Sequence, residues 1–301
     1  MYPPSRAARF LVVIGFSFFV LLLHSIDKRQ TYARLEFIDV NSGWYQNSVS
    51  GHDKNRSSGG REKNSFEVCE KTYNVEFQTV SAYASQRIYE NLHLNSDCFV
   101  IEVGGFEGEA MRTLFQVYDI GFYVVVEPIW KYYKTLIKKS KHLPQGRIQA
   151  LNIGLGEKDD TVKVKTTGNW TGLYNGQTKN WQSENGDNGT KPEQMADINI
   201  IGVERFFKEI GIGSTDGVRG QLDLLILDCE GCEYDVLDYL VKSPNVLHYI
   251  RVIMFRSHRF KGHEQEMIHK YCTYQELLPL THEILFQKKF SWEVWRLRNK
   301  M

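Results

Sequence analysis

The chain has 301 residues, and its 37 lysines and arginines nearly balance 36 aspartates and glutamates, for a formal net charge of +1. That balance argues against a nucleic-acid partner, which would require a clustered basic surface, and favours a neutral or small-molecule one. Five cysteines (Cys69, Cys98, Cys229, Cys232, Cys272) are too few for a disulfide scaffold of this size, and their odd number leaves at least one unpaired.

Phe10 to Leu23 reads FLVVIGFSFFVLLL, an unbroken apolar and small run between Arg6/Arg9 and Asp27-Lys28-Arg29. With Ala7, Ala8 and the flank to Ile26 it approaches the ~20 residues of a membrane span. No A-x-A-like cleavage site follows closely. Residues 1–28 are therefore expected to be an uncleaved signal anchor, with a cleaved signal peptide as the competing reading. The expected product is a single-pass protein attached to the membrane through this segment, its domain in the secretory lumen (ER or Golgi), or secreted if the segment is cleaved. Residues 29–76 read as a flexible stem, since Asn47–Ser65 is rich in Ser, Gly, Asn and charge without apolar periodicity. Residues 77–96 read as a helical lead-in, with Phe77, Val80, Ala84, Ile88 and Leu92 at helical intervals.

Residues 97–301 alternate strand-like and helix-like patterns. Cys98–Val103 is a short apolar run stopped by Gly104-Gly105, the pattern of a buried strand. A helix follows over Ala110–Tyr118, then a strand over Phe122–Val126 ending at Glu127-Pro128. Trp130–Lys141 is an amphipathic basic helix. Strands are expected at Ile148–Ile153 and, more exposed, at Thr161–Lys165. Asn169–Gln194 is long and polar and reads as a loop over the active face. Leu222–Leu227 is a core strand ending at Asp228; Tyr234–Val241 is helical and Tyr249–Phe255 is a further strand. Glu283–Gln287 and Trp292–Leu297, joined by a short basic turn, read as an antiparallel hairpin. Such alternation implies a parallel sheet with helical crossovers.

Ligands of doubly wound sheets sit at the carboxyl ends of the strands near the switch point. Three strand ends here carry acids. Glu102 precedes the glycine turn of E-V-G-G-F-E-G, Glu127 closes the next strand, and Asp228 opens D-C-E-G-C-E. Gly104, Gly105 and Gly108 allow backbone to approach a ligand closely. A carboxylate two residues before the first glycine would repel a dinucleotide pyrophosphate and attract the ammonium and sulfonium of S-adenosylmethionine. Glu127 suits ribose hydroxyls. Cys229-x-x-Cys232 is read as two small residues packing behind a strand end, with a redox pair as the alternative. No second C-x-x-C or His pair has zinc-like spacing, so no metal site is expected.

VIEVGGFEGE (Val100–Glu109), VVVEP (Val124–Pro128), ALNIGLGEKDDTVKV (Ala150–Val164) and LDLLILDCEGCEYDVL (Leu222–Leu237) together resemble the FkbM-type methyltransferases, over about Cys98 to His258. The resemblance implies a class I (Rossmann-like) methyltransferase fold, with a mostly parallel seven-stranded sheet whose last two strands form the hairpin. It implies S-adenosylmethionine as cofactor, with Pro128, Asn152 and Gly154 joining Glu102, Gly104, Gly105, Gly108 and Glu127 at its site. It also implies O-methylation of a hydroxyl on a sugar, glycoconjugate or small molecule. The sequence departs from the pattern at Phe106 and Glu107, and at Arg256, which stands where the family has an acid two residues before His258.

Methyl transfer to oxygen needs a base for the hydroxyl proton. Asp228, Glu230 and His258 are the candidates. Two competing readings stay open. One is a cofactor-binding relative without turnover, which Arg256 keeps in play. The other is a membrane-anchored glycosyltransferase using Asp228 and Glu230 as a metal motif, against which the Glu102 glycine turn argues.

Overall fold

The computed structural model describes residues 65–72, 88–166, 194–213, 221–260 and 262–298. The apolar run at Phe10–Leu23, most of the lead-in helix and the expected loop at Asn169–Gln194 lie outside these, save Gln194 itself. Among the described residues no helix is long and apolar enough to cross a membrane.

The elements in chain order are α1 (Ser65–Thr72), β1 (Cys98–Val103), α2 (Glu109–Val117), β2 (Ile120–Val126), α3 (Trp130–Ser140), β3 (Ile148–Leu151), β4 (Gly154–Gly156), β5 (Asp160–Thr166), β6 (Gln194–Gly202), α4 (Val203–Ile210), β7 (Leu224–Leu227), α5 (Cys232–Lys242), α6 (Pro244–Leu247), β8 (Val252–Arg256), α7 (Glu264–Leu277), β9 (His282–Gln287) and β10 (Trp292–Leu297). Seven strands form one sheet in the order β3-β2-β1-β7-β8-β10-β9. All neighbours from β3 to β8 pair in parallel, whereas β10 runs antiparallel to both β8 and β9. This is the mostly parallel, Rossmann-like seven-stranded sheet with a terminal antiparallel hairpin that the resemblance implied.

The central strands are buried on both faces, which explains their unbroken apolar runs. One face packs Val100, Tyr123, Val125, Leu224, Ile226 and Met254 against Met111 and Leu114 of α2. The hairpin docks through a buried carboxylate. Glu293 of β10 accepts hydrogen bonds from Gln275 (2.8 Å), Trp295 (2.8 Å), Gln287 (3.0 Å) and the Tyr271 hydroxyl. Burial raises the pKa of this carboxyl, and the four donors oppose the rise.

A second, three-stranded sheet, ordered β4-β6-β5, was not foreseen in the sequence. Its Val164, Ile198 and Ile200 pack on Ile129 and Tyr132, forming a small core beside the carboxyl ends of β1 and β2. After β6, α4 presents Val203, Phe206, Phe207 and Ile210 along one buried stripe. It ends at Gly211, whose left-handed φ of 84° closes the last turn.

Two expectations need correction. Ser65–Thr72, assigned to the stem, is an α-helix tied to α7 by the Cys69–Cys272 disulfide and by Phe66 packing edge-on to His269. Cys229 and Cys232 are not two packed thiols but a disulfide across the β7–α5 turn. Cys98 is the free cysteine, buried in the core.

Candidate active site

The chain runs from β1 outward to β3 and later from β7 outward to β8, so the switch point lies between β1 and β7. A cavity of about 250 Å³ opens there. The strand ends supply Val103 and Gly104, Val126 to Ile129, Asp228 to Glu230, Cys232 and Arg256; the second sheet supplies Gly154, Leu155, Val164, Ile198 and Ile200. This is where open α/β sheets hold their ligands.

The glycine turn is built by close approach. Gly104 has φ 90°, and a Cβ there would lie 2.1 Å from the carbonyl oxygen of Asp228. A Cβ on Gly105 would lie 2.2 Å from Val125 Cγ2. Both amides donate to the Val126 carbonyl, at 2.9 and 3.0 Å. Gly108, at φ 83°, caps α2. Only Gly104 of the three lines the cavity; Gly105 and Gly108 shape the turn behind it. Between them Phe106 holds a left-handed φ of 44°, and its ring centroid lies 4.4 Å from that of Tyr132. Phe106 thus places an aromatic wall in the cavity.

Glu127 reaches the cavity with its carboxylate pre-set. Its Oε2 accepts the Phe106 amide at 2.8 Å and its Oε1 the Ile129 amide at 2.7 Å. Burial pushes its carboxyl up to about 7, against the pull of those two donors. Pro128 and Gly154 line the cavity. Asn152 acts one step back: its Nδ2 donates to the carbonyls of Glu127 (2.8 Å) and Pro128 (3.0 Å) and fixes the β2 end.

Glu102 is placed differently from the expectation. Strand alternation puts it on the same face as Val100, under the sheet, where the Tyr123 hydroxyl donates to Oε2 at 2.7 Å. It is 3% exposed and is not among the cavity-lining residues. Burial raises its pKa to about 8, with Asp228 and Glu109 adding to the rise and Tyr123 opposing it.

On the opposite wall the D-C-E-G-C-E segment and β8 build an ion cluster. His258 Nε2 lies 3.3 Å from Asp228 Oδ1 and 3.2 Å from Glu230 Oε1, while Arg256 Nη1 lies 3.5 Å from Asp228 Oδ1. Behind them, fully buried Glu233 accepts from His258 Nδ1 at 2.9 Å, from the His258 amide at 3.1 Å and from the Gly231 amide at 2.8 Å. Burial opposes the imidazolium, but the Glu233 charge, reinforced by Asp228 and Glu230, holds the His258 pKa well above its usual value. Burial likewise pushes Asp228 upward, yet His258 and Arg256 prevail and keep it below the ordinary carboxylate range. The cluster therefore presents ionised Asp228 to the cavity and keeps His258 charged behind it. His258 does not line the cavity; it stands behind it, where it is placed to position the Asp228 and Glu230 carboxylates.

No family model matches the chain, and no curated protein sequence matches it. Solved structures similar to it include methyltransferases. The O-methyltransferase TomG from Streptomyces achromogenes, involved in tomaymycin synthesis and solved with S-adenosylmethionine, shares 10% identity over 85% of this chain and 95% of its own, with a TM-score of 0.39. Precorrin-6y C5,15-methyltransferase from Geobacter metallireducens GS-15 shares 8% over 74% and 95%, TM-score 0.36. The 23S rRNA methyltransferase ErmE shares 12% over 74% and 71%, TM-score 0.39. These likenesses concern the fold alone.

Sequence reasoning assigned no role to Glu233, although it is the last acid of the quoted motif. Nor did it find the cavity wall from β5 and β6. Arg256 was noticed as a departure; its place on the cavity wall beside Asp228 emerges only in three dimensions.

Proposed function

We infer that this domain binds S-adenosylmethionine in the switch-point cavity and methylates a hydroxyl oxygen of a sugar, glycoconjugate or small molecule. The observation that carries this reading is the cavity itself. A glycine turn is packed on Asp228 at one strand end, and a carboxylate is held ready by two amides at the next. Gly104 lets the turn pack directly on the Asp228–Cys229 backbone, where any side chain would collide, and Glu127 is placed to accept from ribose hydroxyls. When bound, S-adenosylmethionine supplies an electrophilic methyl group. Asp228 orients the acceptor hydroxyl and takes its proton as the new bond forms, helped by Glu230. Glu233 and His258 hold both carboxylates in place. Phe106 and Tyr132 offer an aromatic wall.

Membership in the FkbM-type group rests on the four quoted motifs. A luminal, membrane-tethered setting is supported by the apolar run at Phe10–Leu23, by Asn-x-Ser/Thr sequences at Asn55, Asn169 and Asn188, and by two disulfides, which persist in oxidising compartments. Calorimetry with S-adenosylmethionine and with nucleotide sugars, followed by methyl transfer to a panel of hydroxylated acceptors, tests the reading. Saturable binding of the former with methylated product is expected. Binding of nucleotide sugars alone would overturn it, and cofactor binding without turnover on any acceptor would favour the non-catalytic reading.

A further inference from the structure

We propose that the Cys229–Cys232 disulfide is a reducible site that sets the rigidity of the cofactor cavity, with a dithiol as its co-reactant. The inference draws its consequence from the cofactor reading above, but its test does not depend on cofactor binding.

Both cysteines line the cavity, Cys229 just beyond β7 and Cys232 as the first residue of α5. The bridge closes a turn in which Glu230 has φ 54° and Gly231 φ 120°. A non-glycine residue occupies that region only when its surroundings impose it. Here the impositions are the bridge and Glu233, which accepts the Gly231 amide at 2.8 Å. The turn in turn supports the rest of the site. Its Asp228–Cys229 backbone lies so near Gly104 that a Cβ there would meet Asp228 O at 2.1 Å and Cys229 Cα at 2.8 Å. Its Glu230 carboxylate lies 3.2 Å from His258 Nε2. Bridge, glycine turn and acid cluster therefore form one packed body.

The other disulfide offers an internal contrast. Cys69–Cys272 joins residues 203 apart, and neither of its cysteines lines the cavity. Cys98, the free thiol, is buried in the sheet core and is no resolving partner. Exchange at Cys229–Cys232 is accordingly local. A thiolate of the dithiol attacks one bridge sulfur, the S–S bond breaks, and the departing cysteine thiolate takes a proton. The second thiol of the reductant then resolves the mixed disulfide. Two electrons and two protons pass from the dithiol, which leaves as its disulfide, to the protein, which gains two thiols. A cysteine at a helix N-terminus is a favoured leaving group for this step. With the bridge open, no covalent link holds Glu230 and Gly231 at positive φ, and the backbone under Gly104 is free to relax.

The test titrates the full-length protein with dithiothreitol under native conditions. Thiols are trapped with N-ethylmaleimide and located by peptide mass spectrometry, while hydrogen exchange follows the amides of Gly104, Gly105, Phe106 and Gly108, all hydrogen-bonded in the oxidised state. Cys229–Cys232 is expected to open at lower dithiothreitol than Cys69–Cys272. Exchange in the turn is expected to rise at least tenfold, reverting on reoxidation. A Cys229→Ser, Cys232→Ser double variant should exchange like the reduced protein and ignore dithiothreitol; should it not fold, the wild-type titration decides alone. Free Cys229 and Cys232 thiols in protein never exposed to reductant, earlier opening of the long-range bridge, or unchanged exchange in the turn would each overturn the proposal.

Discussion

Glu102 provides a quantitative test of how burial sets charge at this sheet. An unfolded glutamate ionises near 4.5, whereas the folded Glu102 carboxyl is raised to about 8. Between those values the native protein keeps a proton that the unfolded chain has released. Stability must therefore fall as pH climbs from 4.5 to 8 and level off above. At about 1.4 kcal/mol per unit the interval corresponds to at most about 5 kcal/mol, and water entry or relaxation on ionisation reduces that to roughly 2–5 kcal/mol. Glu102→Gln removes the titration while its amide oxygen still accepts from the Tyr123 hydroxyl, 2.7 Å away in the wild type. Urea unfolding of both proteins at pH 5 and pH 9 isolates the term, because Glu127, Asp235 and other shifted groups contribute to both alike. The variant should gain about 2–5 kcal/mol relative to wild type between the two pH values. Parallel profiles would refute the reasoning and mean that Glu102 is ionised in the folded state.

The cofactor site is tested by Glu127→Ala, expected to weaken S-adenosylmethionine binding by about 1–3 kcal/mol in calorimetry, the worth of a hydrogen bond to a charged group. In wild type that affinity should rise between pH 6 and 8, because the Glu127 carboxyl, raised by burial to about 7, accepts hydroxyl protons best once ionised; a flat profile would remove Glu127 from the ribose. Asp228→Asn should cut turnover far more than cofactor binding, and retained turnover would leave Asp228 no catalytic role. Glu233→Gln removes the charge facing His258 Nδ1 while Asp228 and Glu230 still face Nε2, and should cost about 1–3 kcal/mol in denaturant unfolding, the worth of a hydrogen bond to a charged group. For location, a glycosidase mobility shift and protease protection in intact microsomes are expected. No shift, together with digestion from the cytosolic side, would reverse the topology.

The central strands were readable because strands covered on both faces are largely apolar and stop at glycine or acid, as Cys98–Val103, interrupted only by Glu102, and Leu224–Leu227 do. The strand-end acids were readable for the same reason, being the first polar residues after such runs. Which way each acid turns was also written in the period of two, since Glu102 shares parity with core residue Val100; motif matching alone passes over that. The second sheet was not readable: β6 pairs with β4 across more than forty residues, including a polar stretch that says nothing about where the chain returns. Asn152 was found by position, but its two backbone acceptors belong to another strand end. Glu233 and His258 stand 25 positions apart, and that pairing is a product of tertiary packing.

The bridge between Cys69 and Cys272 changes where the domain can be cut. A boundary drawn at residue 97, as the strand pattern suggests, would discard α1 and leave Cys272 without its partner. The intact link closes a loop of 203 residues, which by chain entropy restrains the unfolded ensemble by about 5 kcal/mol. A fragment lacking it would carry an orphan thiol into an oxidising medium, where pairing between molecules is the ready alternative. Expressed into an oxidising medium, fragments beginning at or before Ser65 should form no intermolecular disulfide through Cys272, whereas those beginning at residue 97 should form mixed-disulfide dimers or aggregates.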